Sequence, residues 1–166
     1  MALTKLSRSV EGYVAFITGA ASGMGEATAK LFASDGAKVA LVDVNAEGLQ
    51  RVVSEIEAEG CAVRGWTLDL SDGEAIKQAI DAAAAHFGGL DMLVNNAGIS
   101  IPAPIDGDDY EAAWSKSFDI LITAHIRTIR ACLPHLRASQ NPRIVNIAST
   151  EGLGATKGGS PYTAAK

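Results

Sequence analysis

The chain has 166 residues, 48% of them apolar and 20% charged, with a formal net charge of −5. That apolar share suits one packed domain and excludes a disordered chain. An acidic balance with no basic cluster excludes a grip on nucleic acid or on an anionic membrane surface, and no apolar run approaches the length of a membrane span.

Two cysteines, Cys61 and Cys132, lie far apart without CxxC spacing, and His86, His125 and His135 stand at no ligand spacing from them or from a carboxylate. Neither a disulfide framework nor a metal site is expected, and a reducing cytoplasm is the compartment that fits. The first 12 residues hold no apolar core of a secretory signal and are expected to form a loose lead-in.

Strand-length apolar runs then alternate with segments of helical period. YVAFIT (13–18) gives a first strand, and TGAASGMG (18–25) leads from it into a helix carrying Ala27, Leu31 and Phe32. KVALVD (38–43) gives a second strand. Leu49, Val52, Val53 and Ile56 recur at i, i+3, i+4 and i+7, which predicts an amphipathic helix closed by a left-handed cap at Gly60. AVRGWTL (62–68) follows as a third strand. Ser71 and Glu74 match a capping box that opens a helix burying Ile76, Ala79, Ile80 and Ala83, with a turn at Gly88-Gly89. LDMLVNN (90–96) is a fourth strand, and residues 98–108, with Pro102 and Pro104, are expected as the only long loop. A single helix spans about 110–138, where Trp114 is expected to pack, as is Trp66 in the third strand. RIVNIAS (143–149) is a fifth strand ending at Ser149. The pattern predicts an α/β fold, a Rossmann-type doubly wound parallel sheet over one domain of residues 1–166, with strand order 3-2-1-4-5.

Glycines between a strand and a helix let backbone N–H groups approach a pyrophosphate, which the positive end of the helix dipole favours. Gly19, Ser22, Gly23, Met24 and Gly25 are therefore candidates to line a dinucleotide. Asp43 ends the second strand, 18 residues beyond Gly25, where a carboxylate meets the adenosine ribose; the same residue also suits a plain helix-start acid. Tyr162 and Lys166, four apart, share one helical face, with Ser160 placed to cap the helix and Pro161 in its first turn. Reduction of a ketone needs a proton on oxygen, and a phenol of ordinary pKa about 10 is weak at neutral pH. An ammonium about 4 Å away supplies about 4 kcal/mol of attraction at an effective dielectric of about 20, which brings Tyr162 into working range.

With TGAASGMG after the first strand, Leu68-Asp69-Leu70 after the third, Asn95-Asn96-Ala97-Gly98 after the fourth, and Ser149 standing 13 residues before Tyr162 in Tyr-x-x-x-Lys, the sequence resembles the short-chain dehydrogenase/reductase family over nearly its whole length. The resemblance implies an oxidoreductase that moves a hydride between NAD and a small-molecule secondary alcohol or ketone. It implies Ser149 holding the substrate oxygen, Tyr162 as general acid and base, and Lys166 also gripping the nicotinamide ribose. Asp69 and Leu70 would lie beside the adenine, Asn96, Ala97 and Gly98 along the cofactor, and Ile147 near the nicotinamide, while Asn95 braces the sheet. A homodimer or homotetramer is the assembly such a protein forms.

The chain departs from the family in two places. Leu121 stands where relatives carry an Asn whose helix distortion supports a water relay to the lysine, so a weaker distortion is expected here, with His125 one turn on as a substitute titrating group. This departure keeps a second reading open, an NAD-binding relative that is not an enzyme. The chain also stops at Lys166, where relatives continue through further strands and a substrate lid, and it reads as a fragment of such a protein.

Cofactor choice follows from Asp43, whose charge repels a 2′-phosphate, while Ser22 and Val44 occupy the places where a basic partner for that phosphate would stand. NADH is expected to bind much more tightly than NADPH in a fluorescence titration, and Asp43→Ala is expected to narrow the gap without reversing it. Equal affinities in the wild type would contradict this.

Overall fold

The computed structural model describes residues 8–166, so the first seven residues of the expected lead-in lie outside the described residues. Five parallel strands, β1 (Val14–Thr18), β2 (Lys38–Asp43), β3 (Val63–Thr67), β4 (Met92–Asn95) and β5 (Arg143–Asn146), make one sheet in the order β3-β2-β1-β4-β5. Six α-helices accompany them: α1 (Gly23–Ser34), α2 (Ala46–Ala58), α3 (Gly73–Phe87), α4 (Tyr110–Phe118), α5 (Ala124–Ala138) and α6 (Ser160–Ala165). The doubly wound arrangement expected from the sequence is the one observed.

Strand periodicity divides the core into two layers. Ala15 and Ile17 of β1, with Val39 and Leu41 of β2, point toward α1 and α2, where Ala29, Ala33, Leu49, Val52 and Ile56 meet them. Phe16, Ala40, Val42 and Leu93 point the other way, onto Ile76 and Ile80 of α3 and Cys132 and Leu136 of α5. Burial drives the Cys132 thiol up to about 12, so this sulfur behaves as a small apolar side chain. β1 pairs with β2 from Val14↔Lys38 to Thr18↔Val42 and with β4 from Ala15↔Met92 to Ile17↔Val94. The chain thus departs to opposite sides beyond the ends of β1 and β4, which opens a crevice there.

Local signals played out unevenly. Gly60 takes φ +75° behind α2, with its N–H on the Glu57 carbonyl and that of Cys61 on Ile56, as a left-handed cap requires. At α3 the capping residue is Asp72 rather than Ser71. Its Oδ1 accepts the N–H groups of Glu74 and Ala75, while the Ser71 hydroxyl is engaged by Asp69 at 2.8 Å. Ser160 likewise lies inside α6, with Gly159 in the cap position, because its hydroxyl pairs with Tyr110 Oη at 3.0 Å. The third and fifth strands, at the two edges, are the more exposed strands of the sheet; Ile144 and Val145 of β5 are 41% and 47% exposed. Trp66 of β3 is partly buried against the core, whereas Trp114 is 37% exposed and stacks on Phe118 at 4.6 Å.

Two corrections concern the site directly. β5 ends at Asn146, so Ser149 lies beyond it and begins a second irregular stretch containing the 3₁₀ turn Thr150–Gly152. The expected single helix over 110–138 is interrupted by a π turn, Asp119–Thr123, between α4 and α5. Leu121 therefore does not impose a regular helix. Its side chain is 2% exposed, and its Cδ2 fills the space that a Cβ on Gly98 would need, at 3.3 Å. Burial of the leucine against this glycine overrides its local preference for α-helix.

Candidate active site

The glycine loop is shaped by a lack of space beneath it. Gly19 has φ +68°, and a Cβ on it would stand 2.7 Å from Ala97 Cα; one on Gly25 would stand 2.0 Å from the Gly19 carbonyl oxygen and 2.5 Å from Asn96 Nδ2. Gly23, at φ +57°, has nothing within 4 Å of such a position and faces open space. Gly25 is thus a packing glycine under the loop, and it does not line the cleft above. Asn96 Nδ2 donates to the carbonyls of Thr18 and Gly19 at 3.0 and 3.1 Å, while Thr18 Oγ1 accepts the N–H groups of Asn96 and Ala97, both at 3.0 Å. Asn95 turns into the fold, accepting from Thr128 Oγ1 at 2.8 Å and donating to Asn146 Oδ1 at 2.9 Å.

Above this junction runs a cleft of about 690 Å³. At one end lie Gly19, Ser22, Gly23 and Met24 at the N-terminus of α1, where the Ser22 side chain makes no capping bond and leaves the helix end to a ligand. Asp43 forms the next part of the wall; its carboxylate accepts the N–H groups of Ala21 and Asn45, both at 2.9 Å. Asp69 and Leu70 face it. The N–H and then the hydroxyl of Ser71 hold the Asp69 carboxyl below its ordinary pKa, so it stays charged. Asn96, Ala97 and Gly98 form the floor, and Ile147, Tyr162 and Lys166 close the far end. Lys166 Nζ donates to the Ile147 carbonyl at 2.7 Å and lies 5.9 Å from the centre of the Tyr162 ring.

Ser149 does not line this cleft. Its hydroxyl accepts the N–H of Glu151 at 3.2 Å and caps the 3₁₀ turn, which packs against α6. Tyr162 and Ser100 also face a smaller cavity of about 300 Å³ beside Glu151 and Thr156. Sequence reasoning missed Ile99, Ser100, Lys116 and Ile120 in the wall of the main cleft. Lys116 arrives there from α4 and stands 3.9 Å from Asp69, a pairing across 47 residues that no local motif signals.

The cleft suits a dinucleotide in its two ends, an uncapped helix N-terminus and a tyrosine–lysine pair. Among the described residues no group of three or more His, Cys, Asp or Glu side chains converges to hold a metal ion.

Comparisons with known proteins agree with this geometry. The model of the short chain dehydrogenase family matches residues 13–166. A 2,5-dichloro-2,5-cyclohexadiene-1,4-diol dehydrogenase of Sphingobium indicum is 41% identical over 161 residues, 97% of this chain and 64% of that protein. A D-threitol dehydrogenase of Mycolicibacterium smegmatis is 34% identical over 95% of this chain and 60% of its own length. The crystal structure of a short chain dehydrogenase/reductase from Burkholderia phymatum in complex with NAD superposes with a TM-score of 0.89 at 34% identity, over 96% of this chain and 57% of that one. The chain therefore spans roughly three fifths of the length of these relatives.

His125, just past the π turn, has its Nε2 buried with no hydrogen-bond partner among the described residues. Burial, reinforced by the charge of Lys166, holds its pKa below the ordinary value. The imidazole is then neutral in the fold, while the unfolded chain takes up a proton as pH falls through about 6.5, so stability present above that pH is lost below it. Denaturant unfolding at about pH 7.5 and 5.5 is expected to show a larger loss for the wild type than for His125→Gln. Equal losses would show that His125 does not carry this term.

Proposed function

Because the chain belongs to the short chain dehydrogenase family, a family of oxidoreductases, we propose that the protein moves a hydride between NAD and a secondary alcohol or ketone, with Tyr162 as the proton donor and acceptor. The observation that carries this is the single cleft joining the uncapped N-terminus of α1 to Tyr162 and Lys166.

NAD, when bound, supplies the hydride acceptor or donor. Every other function falls to side chains of this chain. Gly19, Ser22, Gly23 and Met24 hold the pyrophosphate end, using backbone N–H groups and the dipole of α1. Asp43 accepts the ribose hydroxyls with the acceptor capacity left beyond its two backbone bonds, and Asp69 with Leu70 borders the adenine. Ile147 would border the nicotinamide, and Lys166 would hold the ribose attached to it. The Ile147 carbonyl holds the Lys166 ammonium in place, so its charge is fixed near the phenol of Tyr162 before substrate enters. Tyr162, between the main cleft and the smaller cavity, protonates a carbonyl oxygen during reduction and removes the hydroxyl proton during oxidation. Ser149 orients that oxygen with its O–H, which the capping bond accepted from the Glu151 N–H leaves free to donate. That two relatives are a cyclohexadienediol dehydrogenase and a threitol dehydrogenase supports a small hydroxylated substrate. The family relation supports a homo-oligomer as the working form.

The reading in which the protein binds NAD without turning over rested on Leu121. With the π turn present at Asp119–Thr123 despite the leucine, that ground for it is removed.

The test is Tyr162→Phe in the intact protein, which removes the phenolic hydroxyl and leaves the glycine loop untouched. Oxidation of alcohols, followed by NADH absorbance, is expected to fall by a factor of about 10² to 10⁴ with NADH affinity nearly unchanged. Turnover at the wild-type rate would mean that another group moves the proton.

A further inference from the structure

One residue of the glycine loop is held through both of its peptide groups. Ala21 is buried, its N–H donates to Asp43 Oδ2 at 2.9 Å, and its carbonyl accepts Arg51 Nη2 at 3.2 Å. Arg51 comes from the second turn of α2. Gly48, one turn earlier on the same face, lets that helix close on the loop, since a Cβ there would stand 3.1 Å from Ala21 Cβ. The guanidinium has further partners. Its Nη1 donates to Glu26 Oε1 and Glu55 Oε1 at 2.9 and 3.0 Å, and its Nη2 to Glu26 Oε2 at 2.7 Å. Lys30 completes a ring by pairing with both glutamates.

Isolated surface ion pairs contribute little, but a network with forked arginine geometry is the exception, because each member is held by more than one partner. The place of Glu26 gives the network a second consequence. It sits in the first turn of α1, the helix end that faces the phosphate part of the cleft. A carboxylate there, left unpaired, would occupy the favourable end of the dipole and repel an incoming phosphate. Paired to Arg51 and Lys30, it contributes no net negative charge to that end. The four side chains sum to zero charge, so the network does not attract an anion by itself. It removes an obstacle and fixes a peptide.

We infer that Arg51 is a positioning residue of the dinucleotide site, gripping the Ala21 carbonyl to set the glycine loop and neutralising Glu26 so that the N-terminus of α1 accepts a phosphate group. This rests on the function proposed above, and makes α2 a buttress of the phosphate site although Arg51 does not line the cleft.

The experiment titrates the intact protein with NADH, followed by fluorescence, and with adenosine as a competitor that carries no phosphate. Arg51→Ala is expected to weaken NADH about tenfold, the size of one hydrogen bond to a charged group, while leaving adenosine affinity unchanged. Arg51→Lys restores charge without the fork and should recover part of the loss, as should Glu26→Gln placed on Arg51→Ala. Amide exchange at residues 22–25, measured without nucleotide, should quicken in Arg51→Ala. Wild-type NADH affinity and wild-type exchange in Arg51→Ala would overturn the positioning role alone. Equal weakening of NADH and adenosine would also overturn it, by showing a general loosening. A wild-type protein with no NADH affinity would overturn the functional proposal and this inference with it.

Discussion

At the ends of β1 and β4 two segments of backbone approach so closely that neither Gly19 nor Gly25 has room for a side chain. The contact is closed by Asn96, which donates to Thr18 and Gly19, and by the Thr18 hydroxyl, which accepts from Asn96 and Ala97. Thr18 is buried, and a buried group left without its partner costs about 1–3 kcal/mol, so these bonds favour one arrangement. Everything above the junction inherits its position: the start of α1, the open face at Gly23, and the floor from Asn96 to Gly98.

The rest of the cleft is held by elements that arrive from elsewhere in the chain. From one side α2 presses on the loop through Gly48 and Arg51, and Asp43 holds the other peptide group of the same residue, Ala21, from the end of β2. On the other side the π turn brings Leu121 against Gly98, close to where Lys166 reaches the Ile147 carbonyl. A helix irregularity is thus stabilised by tertiary burial, and it stands beside the lysine whose charge the proposed chemistry uses. The tyrosine–lysine pair and the glycine loop are far apart in sequence and are brought to one cleft by the reversal of strand order between β1 and β4.

Much of this was legible in the residues. Alternating apolar runs gave the five strands and their order, because parallel strands with helical crossovers admit few topologies. Leu49, Val52, Val53 and Ile56 marked the buried face of α2 because a period of 3.6 survives in the packed state. Failures occurred where tertiary partners decide. Ser160 looked like a cap by spacing, yet its hydroxyl is taken by Tyr110, 50 residues away, while Ser71 lost the same role to a local bond with Asp69 two residues back. Leu121 looked like a helix former, and its burial against Gly98 set the outcome instead. Lys116 and Arg51 were invisible as parts of the site because their partners, Asp69 and Ala21, are distant in sequence. Ser149 was placed on a strand that ends at Asn146, since apolar composition does not report where pairing stops.

The proposed dinucleotide site rests on the close approach of Gly19, Gly25 and the Asn96 side chain. The most direct test is the NADH dissociation constant of Gly25→Ala, measured by fluorescence titration alongside its thermal unfolding. The added methyl carbon has to displace the Gly19 carbonyl, which it would otherwise meet at 2.0 Å. The account predicts a folded protein, destabilised by about 1–3 kcal/mol, whose NADH affinity falls at least tenfold as the loop shifts. Wild-type affinity in Gly25→Ala would contradict it, because the loop would then hold its geometry without the contact.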